Sequence, residues 1–398
     1  MVMFKLLKNP CFWYTIFWSL YYCQGVFYPS DSLISKTIAL LILILSLFYA
    51  YKYLSSSVLT GYAKALFYVL ILISVYGVFA YVTDGAVIIG KTSNTKLFMW
   101  FRNLYLSILP IFTYLYFAKS NYLTVQFVRK MFLVVLMAVF VSYYWSHLTA
   151  IKMTYLKTGN EVVDVTNNAG YVVLAMIPML LAFDNKKLIQ YIGLLAFSAL
   201  VVLSMKRGAI LICGIISSLF IFRSLNHSSK NSKLFVLLLI IALSTFLYYF
   251  LIDYMAENDY FISRLESTKE GKMSGRDNIY TTLWNHYLNN RSLLKTIFGG
   301  GVWYTTKVTW TAAHNDWLEF LLDMGITGVA IYVVYWFSFY KLSRNKRLPE
   351  LSRFCVLLIF IDLFMRTFFS MSLDSITFMH SMMLGLSYYG LINTSTVL

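Results

Sequence analysis

Three side chains are suited to phosphate chemistry. Arg207 and His314 lie beside long apolar runs of the sequence, and Arg276 lies in the polar interval between two such runs. The planar guanidinium of arginine can hold a phosphate through two parallel hydrogen bonds. A histidine at a polar-apolar boundary can act as a general base near neutral pH. Together these residue types indicate a site that binds a phosphate group and removes a proton from a second group.

The first arginine lies in Lys206-Arg207-Gly208, which joins two apolar runs with almost no intervening loop. An ordinary turn whose long basic side chains reach toward water would explain this pattern. The alternative is a phosphate clamp at a membrane-water interface, formed by Lys206 and Arg207. Gly208 would allow a ligand to approach the backbone closely.

The second arginine belongs to a polar interval, residues 253–316, where the sequence Ser-Gly-Arg-Asp occupies 274–277. Taken alone, Arg276 is equally well explained as a solvated loop residue. It becomes a stronger candidate because the same interval ends at His314.

His314 opens the sequence His-Asn-Asp-Trp-Leu-Glu, at the point where the polar interval meets a new apolar run. A lone histidine here would suit a helix cap or an interface position. Asn315 or Asp316 could cap the following helix, and Glu319 and Asp323 lie on its first turns. Asn315 is also a candidate substrate-binding residue.

Two further arginines interrupt apolar runs and need a partner or a water-filled cavity. Arg102 has two equally open explanations, substrate binding and structural pairing. For Arg366 a structural pair with Asp374 is favoured. The remaining histidines have no neighbours that suggest ligands or a triad: His147, His227, His286 and His380. No HExxH, Walker A, GxSxG or DxD-like motif is present, so we expect neither a metal ion nor a cofactor.

Composition indicates a polytopic membrane protein. The chain has 398 residues, of which 59% are hydrophobic and 13% charged, with a mean hydropathy of +0.68. Soluble domains are about 45–50% apolar and about 25% charged. The net charge of +16 arises largely from short loops, where the positive-inside rule explains it without nucleic acid. The four cysteines lie in or beside apolar runs and indicate packing residues, not disulfides or a metal site.

A helix needs about 20 apolar residues to cross a bilayer, and on this criterion the sequence predicts about twelve transmembrane helices, with eleven as the alternative. The predicted spans are 10–28, 34–54, 60–82, 97–118, 127–148, 168–183, 187–205, 208–222, 234–252, 317–340, 352–370 and 374–392. Since glycine and proline are scarce, most spans should be straight.

The spans divide the chain into residues 1–252 with nine helices, a large loop at 253–316, and residues 317–398 with three helices. The run from 10 to 28 lacks a cleavage site and is interpreted as the first retained span. The distribution of lysine and arginine among short loops places both termini in the cytoplasm and the large loop outside. Helical spacing of aromatic residues at 280–287 predicts short helices in this loop.

Residues 204–328 resemble the O-antigen ligase and O-antigen polymerase superfamily of membrane glycosyltransferases. The resemblance rests on four motifs in order: Ser-Met-Lys-Arg-Gly-Ala at 204–209, Ser-Gly-Arg at 274–276, the glycines at 299–301, and the run from His314 to Gly328. The patch Asn-Asn-Ala at 167–169 is similar in a looser way. Residues before this segment agree with the superfamily in hydrophobicity alone.

The resemblance implies an all-α, GT-C-like, metal-independent inverting glycosyltransferase in the bacterial inner membrane, with a periplasmic active site. The implied donor is an oligosaccharide linked to undecaprenyl diphosphate. Arg207 and Arg276 would hold the diphosphate and His314 would deprotonate the acceptor hydroxyl. Lys206, Arg102, Asn168 and Asn315 are the further substrate-binding candidates.

The acceptor separates two enzymatic alternatives. A polymerase transfers the glycan to the next lipid-linked repeat unit, with a chain-length regulator as a candidate partner, whereas a ligase transfers it to lipid A-core. The short spacing between Arg276 and His314 and the 32 tyrosines and 32 phenylalanines favour a polymerase. A transporter of lipid-linked sugars is the non-enzymatic alternative, which the absence of broken-helix signals and of internal symmetry disfavours.

Overall fold

The computed structural model describes residues 6–82, 93–158, 167–226, 276–289, 292–370 and 372–392, with Thr245 and Tyr249. Within these ranges the regular secondary structure is helical. The α-helices, numbered α1 to α14 in chain order, are Pro10–Tyr22, Leu33–Ser56, Gly61–Val82, Ser93–Lys119, Val125–Thr158, Gly170–Leu174, Lys187–Leu203, Arg207–Asn226, Arg276–Leu288, Leu293–Phe298, Tyr304–Thr309, Asp316–Ser343, Glu350–Phe369 and Phe378–Tyr388. Short 3₁₀ helices occupy Pro178–Phe183 and Leu373–Ser375.

Five helices in the described ranges are long and apolar enough to cross a bilayer. They are Leu33–Ser56, Gly61–Val82, Val125–Ala150, Arg207–Asn226 and Asp316–Ser343. The predicted all-α, polytopic membrane architecture is therefore confirmed, whereas the total of twelve spans and the domain boundaries remain predictions. The predicted span at 234–252 and the first part of the large loop, 253–275, lie outside the described residues.

Three predicted spans are not single long helices, and the first of them, 10–28, holds α1 of 13 residues. Residues 168–183 form α6, which has five residues, followed by the 3₁₀ helix that begins at Pro178. Proline has no amide hydrogen to continue an α-helix, so the change of helix type at this point is expected. The run predicted at 374–392 holds an 11-residue helix, α14, whose first turn is capped by Thr377.

The expectation of straight spans is wrong for α12. Gly325 inside this helix has φ 66° and ψ −164°, which divides α12 into a first segment ending at Met324 and a longer apolar segment. A single glycine is enough to produce the break because it adopts positive φ without a steric penalty. The low glycine content of the sequence therefore does not exclude a kink in this helix.

The chain forms two compact units. The first comprises Met1–Tyr21, Asp31–Lys130 and Ser274–Leu398, and the second comprises Tyr22–Ser30 and Met131–Met273. In the first unit α14 packs closely on α4: a Cβ added at Gly385 would lie 2.7 Å from the carbonyl oxygen of Tyr114. Small residues at such contacts allow helix backbones to approach in a membrane protein.

A buried ion-pair network joins α13 and α14 in the first unit. Arg366 donates from Nε to Oδ1 of Asp362 at 2.8 Å and from Nη2 to Oδ2 at 2.6 Å. His380 Nε2 lies 2.9 Å from the same carboxylate, and Arg366 Nη1 reaches the carbonyl of Ser375 at 3.4 Å. The predicted structural role of Arg366 agrees with this geometry. The carboxylate bound here is that of Asp362, one turn earlier on the same helix, and the predicted pair with Asp374 stays a prediction.

Replacing Asp362 by alanine should destabilise the protein strongly. The substitution leaves the Arg366 guanidinium buried without its carboxylate, which costs about 3–5 kcal/mol. We expect the Tm of the detergent-solubilised protein, followed by size-exclusion chromatography after heating, to fall clearly. Lys346→Ala at an exposed position is the control and should leave the Tm unchanged. An unaltered Tm for D362A would contradict the structural role of the pair.

The second unit holds a smaller charged cluster that joins the end of its 3₁₀ helix to α7 and α8. The carboxylate of Asp184 accepts a hydrogen bond from Lys187 Nζ at 2.9 Å and one from Arg223 Nη1 at 3.3 Å. Burial opposes ionisation of Asp184, but the hydrogen bond and charge of Lys187 together with the charge of Arg223 outweigh burial and lower the pKa of this carboxyl.

Because its pKa is lowered in the folded protein, Asp184 makes a pH-dependent, stabilising contribution to the free energy of unfolding. The contribution is present above the pKa of the unfolded state, near about 3.9, and is lost as the pH falls through the lower folded pKa. The difference in Tm between the wild-type protein and Asp184→Asn should therefore be constant near neutral pH and shrink in strong acid. A difference that grows as the pH falls would contradict this assignment.

Candidate functional site

The kink in α12 provides a docking point for the glycine cluster at 299–301. A break in the helical hydrogen-bond pattern takes carbonyl groups of the preceding turn out of that pattern. The carbonyl of Leu322 accepts a hydrogen bond from the amide of Gly300 at 2.8 Å, and that of Asp323 accepts one from Gly301 at 2.9 Å. The end of the first α12 segment is thus capped by the loop that follows α10.

Two side chains strengthen this junction. Tyr76, on α3, donates its hydroxyl to the carbonyl of Phe298 at 2.6 Å and lies 3.2 Å from that of Met324. Thr327, just beyond the kink, donates to the carbonyl of Ile297 at 3.0 Å. A long apolar helix, the end of α10 and both segments of α12 are therefore held at one point.

The backbones meet at this point too closely for side chains. A Cβ at Gly299, where φ is 75°, would lie 2.4 Å from the backbone carbonyl of Asp323. A Cβ at Gly325 would lie 2.4 Å from the carbonyl oxygen of Ile297. Glycine is required at both positions by close approach as well as by positive φ.

Alanine at Gly325 should lower stability by at least about 1–3 kcal/mol, the usual cost of a strained backbone conformation, with the steric clash added. The Tm after detergent solubilisation measures the effect. Gly214→Ala is the matched control, because Gly214 lies inside α8 with open space around the added Cβ. Equal Tm values for the two variants would contradict the close-packed junction.

Two buried carboxylates on the first segment of α12 bind the loop that leads to His314. Asp323 accepts hydrogen bonds from the amides of Trp303 at 2.8 Å and Thr305 at 3.0 Å. Glu319, one turn earlier, accepts from the hydroxyl of Thr305 and from the amide of Ala313, both at 2.5 Å. Glu319 and Asp323 are 7% and 6% exposed, so these bonds are shielded from water. The pair ties residues 303–313 to α12.

His314 is an exposed side chain between two fixed neighbours. Its φ of 52° lies in the left-handed region, which is uncommon for a residue other than glycine. On one side Ala313 is fully buried and bound to Glu319. On the other side Asn315 caps α12 by accepting from the amides of Trp317 at 3.0 Å and Leu318 at 3.2 Å. The imidazole is thus presented outward by a backbone that is held on both sides.

Arg276 is the first residue of α9, and its guanidinium is anchored at the end of α13. Nη1 donates to the carbonyl of Phe369 at 2.8 Å. Trp317, three residues after His314, donates its indole N–H to Thr367 on the same helix end at 2.9 Å. Arg276 and the helix start beside His314 therefore share one support.

The turn after α13 adds a second connection to the start of α12. Asp316 accepts a hydrogen bond from the amide of Ser372 at 2.9 Å and one from the hydroxyl of Tyr332 at 2.5 Å. Phe320 stacks on the Tyr332 ring with centroids 4.3 Å apart. The residues next to His314 are therefore fixed to the helical scaffold by charge-assisted hydrogen bonds.

An apolar cluster beneath the loop brings α9 to the same place. Its buried members are Leu283 of α9, Ala313 of the loop before α12, and Leu322 of α12. His286 on α9 lies 3.0 Å from the hydroxyl of Tyr304 on α11. The predicted short helices in the large loop are confirmed by α9, α10 and α11, and α9 and α11 are packed around the segment that precedes His314.

In the second unit the structure joins two motifs that are distant in sequence. The amide of Asn167 donates to the carbonyl of Ser204 at 2.8 Å, and its side-chain amide donates to the carbonyl of Tyr143 at 2.9 Å. A Cβ at Gly170 would lie 2.3 Å from the Ser204 hydroxyl. The asparagine patch therefore lies against the junction between α7 and α8.

This junction is compact. Ser204 ends α7, Met205 adopts a left-handed conformation with φ 52°, and Arg207 is already the first residue of α8. The half-buried Lys206 and Arg207 follow directly. Asn168, the exposed neighbour of Asn167, is placed beside the same junction.

The predicted site residues fall into two groups. Arg276, His314 and Asn315 lie in the first unit around one helix start, and Lys206, Arg207 and Asn168 lie in the second around one helix junction. Arg102, on α4, is directed to its neighbour Asn103, with Nη2 3.3 Å from Oδ1. Asn315 is a helix cap, which leaves its predicted substrate contact as a prediction.

Sequence reasoning missed the structural importance of Glu319, Asp323 and Asn167. The detectable signal for the first two was a pair of acids four residues apart at the start of an apolar run, which places both on one helix face. Asn167 was overlooked in favour of Asn168. Its burial follows from tertiary contacts that no local pattern reveals.

These features define an all-helical membrane protein with basic residues at helix starts and the exposed His314 just before one of them. Residues 192–333 match a family model described as O-antigen ligase. The match spans the α7–α8 junction, Arg276, the glycine cluster and His314, and it confirms the resemblance to the O-antigen ligase and polymerase superfamily. No curated protein matches the chain.

Proposed function

We propose that this protein transfers a glycan from undecaprenyl diphosphate to the next lipid-linked repeat unit at the periplasmic face, as a surface-polysaccharide polymerase. The observation that carries the proposal is the presentation of His314 as an exposed imidazole on a backbone held from both sides, within the segment that matches the glycosyltransferase-like family. The reaction is proposed to be inverting and metal-independent.

The donor diphosphate is assigned to Arg207 and Arg276. A departing diphosphate develops negative charge, which fixed cationic hydrogen-bond donors stabilise. A guanidinium carries five N–H groups, so the bond from Arg276 Nη1 to Phe369 holds the side chain in place and permits a second, bidentate contact. Lys206, Arg102 and Asn168 are proposed to contact the substrate.

The acceptor hydroxyl is assigned to His314. The bond from the donor sugar to diphosphate oxygen breaks as the acceptor oxygen attacks, and the hydroxyl proton passes to the imidazole. Because diphosphate is a good leaving group once its charge is neutralised, one positioned base suffices. A polyprenyl tail that stays in lipid accounts for a site at the ends of apolar helices.

Ligation of the glycan to lipid A-core is the second candidate. The description of the matching family model, O-antigen ligase, favours it. Both reactions use the same donor residues and base, so they differ only in the acceptor. A chain-length regulator is a proposed partner of the polymerase alone.

Alanine substitution at Arg207, Arg276 or His314 tests the function in a host strain that lacks its own copy of the protein. We expect His314→Ala to lower polysaccharide formation by about 100-fold or more, the usual contribution of a general base, with normal protein level in the membrane. Surface polysaccharide is resolved on a gel. Arg347→Ala, at an exposed position outside these contacts, is the control and should retain the ladder.

The band pattern distinguishes the candidates. Loss of the long ladder with a core-plus-one-repeat band remaining identifies a polymerase. Loss of every O-antigen band with accumulation of lipid-linked polymer identifies a ligase. Normal ladders from all three variants would overturn the catalytic assignment and favour a transporter of lipid-linked sugars.

A further inference from the structure

The buried carboxylate of Glu319 makes hydrogen bonds to the preceding loop that helix packing alone does not require. Its two oxygens accept hydrogen bonds from different parts of the preceding loop, Oε2 from the hydroxyl of Thr305 and Oε1 from the amide of Ala313. Burying a carboxylate is costly unless hydrogen bonds compensate for the lost water. The two hydrogen bonds therefore offset the cost of burying Glu319 at this position.

The second of these bonds acts directly on the backbone of His314. Ala313 is fully buried, so its amide has to find a partner within the protein. Glu319 provides that partner from within α12, the helix that Asn315 caps. The residues before and after the histidine are therefore both fixed to the first turns of one helix, and the intervening residue must turn through the left-handed region.

Such a conformation persists only where its surroundings impose it. A residue other than glycine in the left-handed region is disfavoured because its Cβ lies too close to the backbone carbonyl oxygen. Two hydrogen bonds to one buried acceptor, from the hydroxyl of Thr305 and the amide of Ala313, offset that cost and hold the strained turn. Asp323, bound to the amides of Trp303 and Thr305, holds the far end of the same loop.

We propose that Glu319 is a positioning residue for His314. The carboxylate of Glu319 binds the amide of Ala313 and the hydroxyl of Thr305, and these bonds fix the left-handed turn that presents the imidazole. This proposal rests on the proposed function for the catalytic role of His314. Glu319 itself takes no part in proton transfer. It is required as a hydrogen-bond acceptor and not as a charge.

Three substitutions at Glu319 separate these roles. Glu319→Leu removes the acceptor, and a base displaced by about 1 Å lowers the rate by about 100-fold. Glu319→Gln keeps an oxygen for the amide of Ala313 and should restore most of the polysaccharide formed by the wild type. Glu319→Asp retains the charge but shortens the reach, so it should resemble Glu319→Leu. Glu350→Leu, at an exposed position on α13, is the matched control.

A double-mutant cycle distinguishes positioning from general destabilisation. If Glu319 acts through the histidine, E319L/H314A should form no less polysaccharide than H314A alone at equal protein level. A further loss equal to that of E319L in the wild-type background would overturn the proposal. Inactivity of E319Q, or full activity of E319L, would also overturn it.

The reactivity of His314 provides a readout independent of catalysis. Diethyl pyrocarbonate modifies accessible neutral imidazoles, and mass spectrometry measures its rate at each histidine. We expect E319L and E319D to change the rate at His314 and leave that at His147, in the second unit, unchanged. An unchanged rate at His314 in both variants overturns the positioning role. A changed rate combined with an active H314A variant would retain positioning and overturn the proposed function.

Discussion

The docking of a glycine-rich turn on a broken helix is the contact on which the described part of the first unit depends. The break at Gly325 offers carbonyl groups that the amides of Gly300 and Gly301 satisfy. Because buried backbone groups require partners, the loop and the helix each complete the other. Neither backbone has room for a Cβ at Gly299 or Gly325.

This contact explains how a polar loop can present a precise group at the end of an apolar helix. The first segment of α12 becomes a short platform, capped by Asn315 at one end and by the glycine turn at the other. Its two buried carboxylates then organise the loop through backbone amides, with bonds of 2.5–3.0 Å. His314 is exposed, whereas Ala313 is buried and Asn315 is half-buried, an arrangement that suits the proposed contact of His314 with a substrate.

The buried pair of Asp362 and Arg366 plays a different part from the arginines assigned to substrate. A guanidinium 1% exposed and bound to both oxygens of a carboxylate has its charge neutralised within the protein. Arg276 and Arg207, which are proposed to bind the donor, are half-buried residues at helix starts. The role of an arginine in or beside an apolar run therefore cannot be assigned until its partner is located in the structure.

The sequence by itself determined the all-helical membrane class, the short helices of the large loop, and the resemblance carried by Arg207, Arg276, the glycine cluster and His314. These follow from hydropathy and from motifs in fixed order, which are local properties. Only the tertiary structure decided that α12 breaks at Gly325, that Arg366 pairs with Asp362, and that Glu319 holds the backbone beside His314. The physical reason is that each of these features depends on partners distant from the local sequence pattern. The carbonyls at a kink, the charges of an ion pair and a buried amide all need such partners, and three-dimensional packing decides which groups provide them.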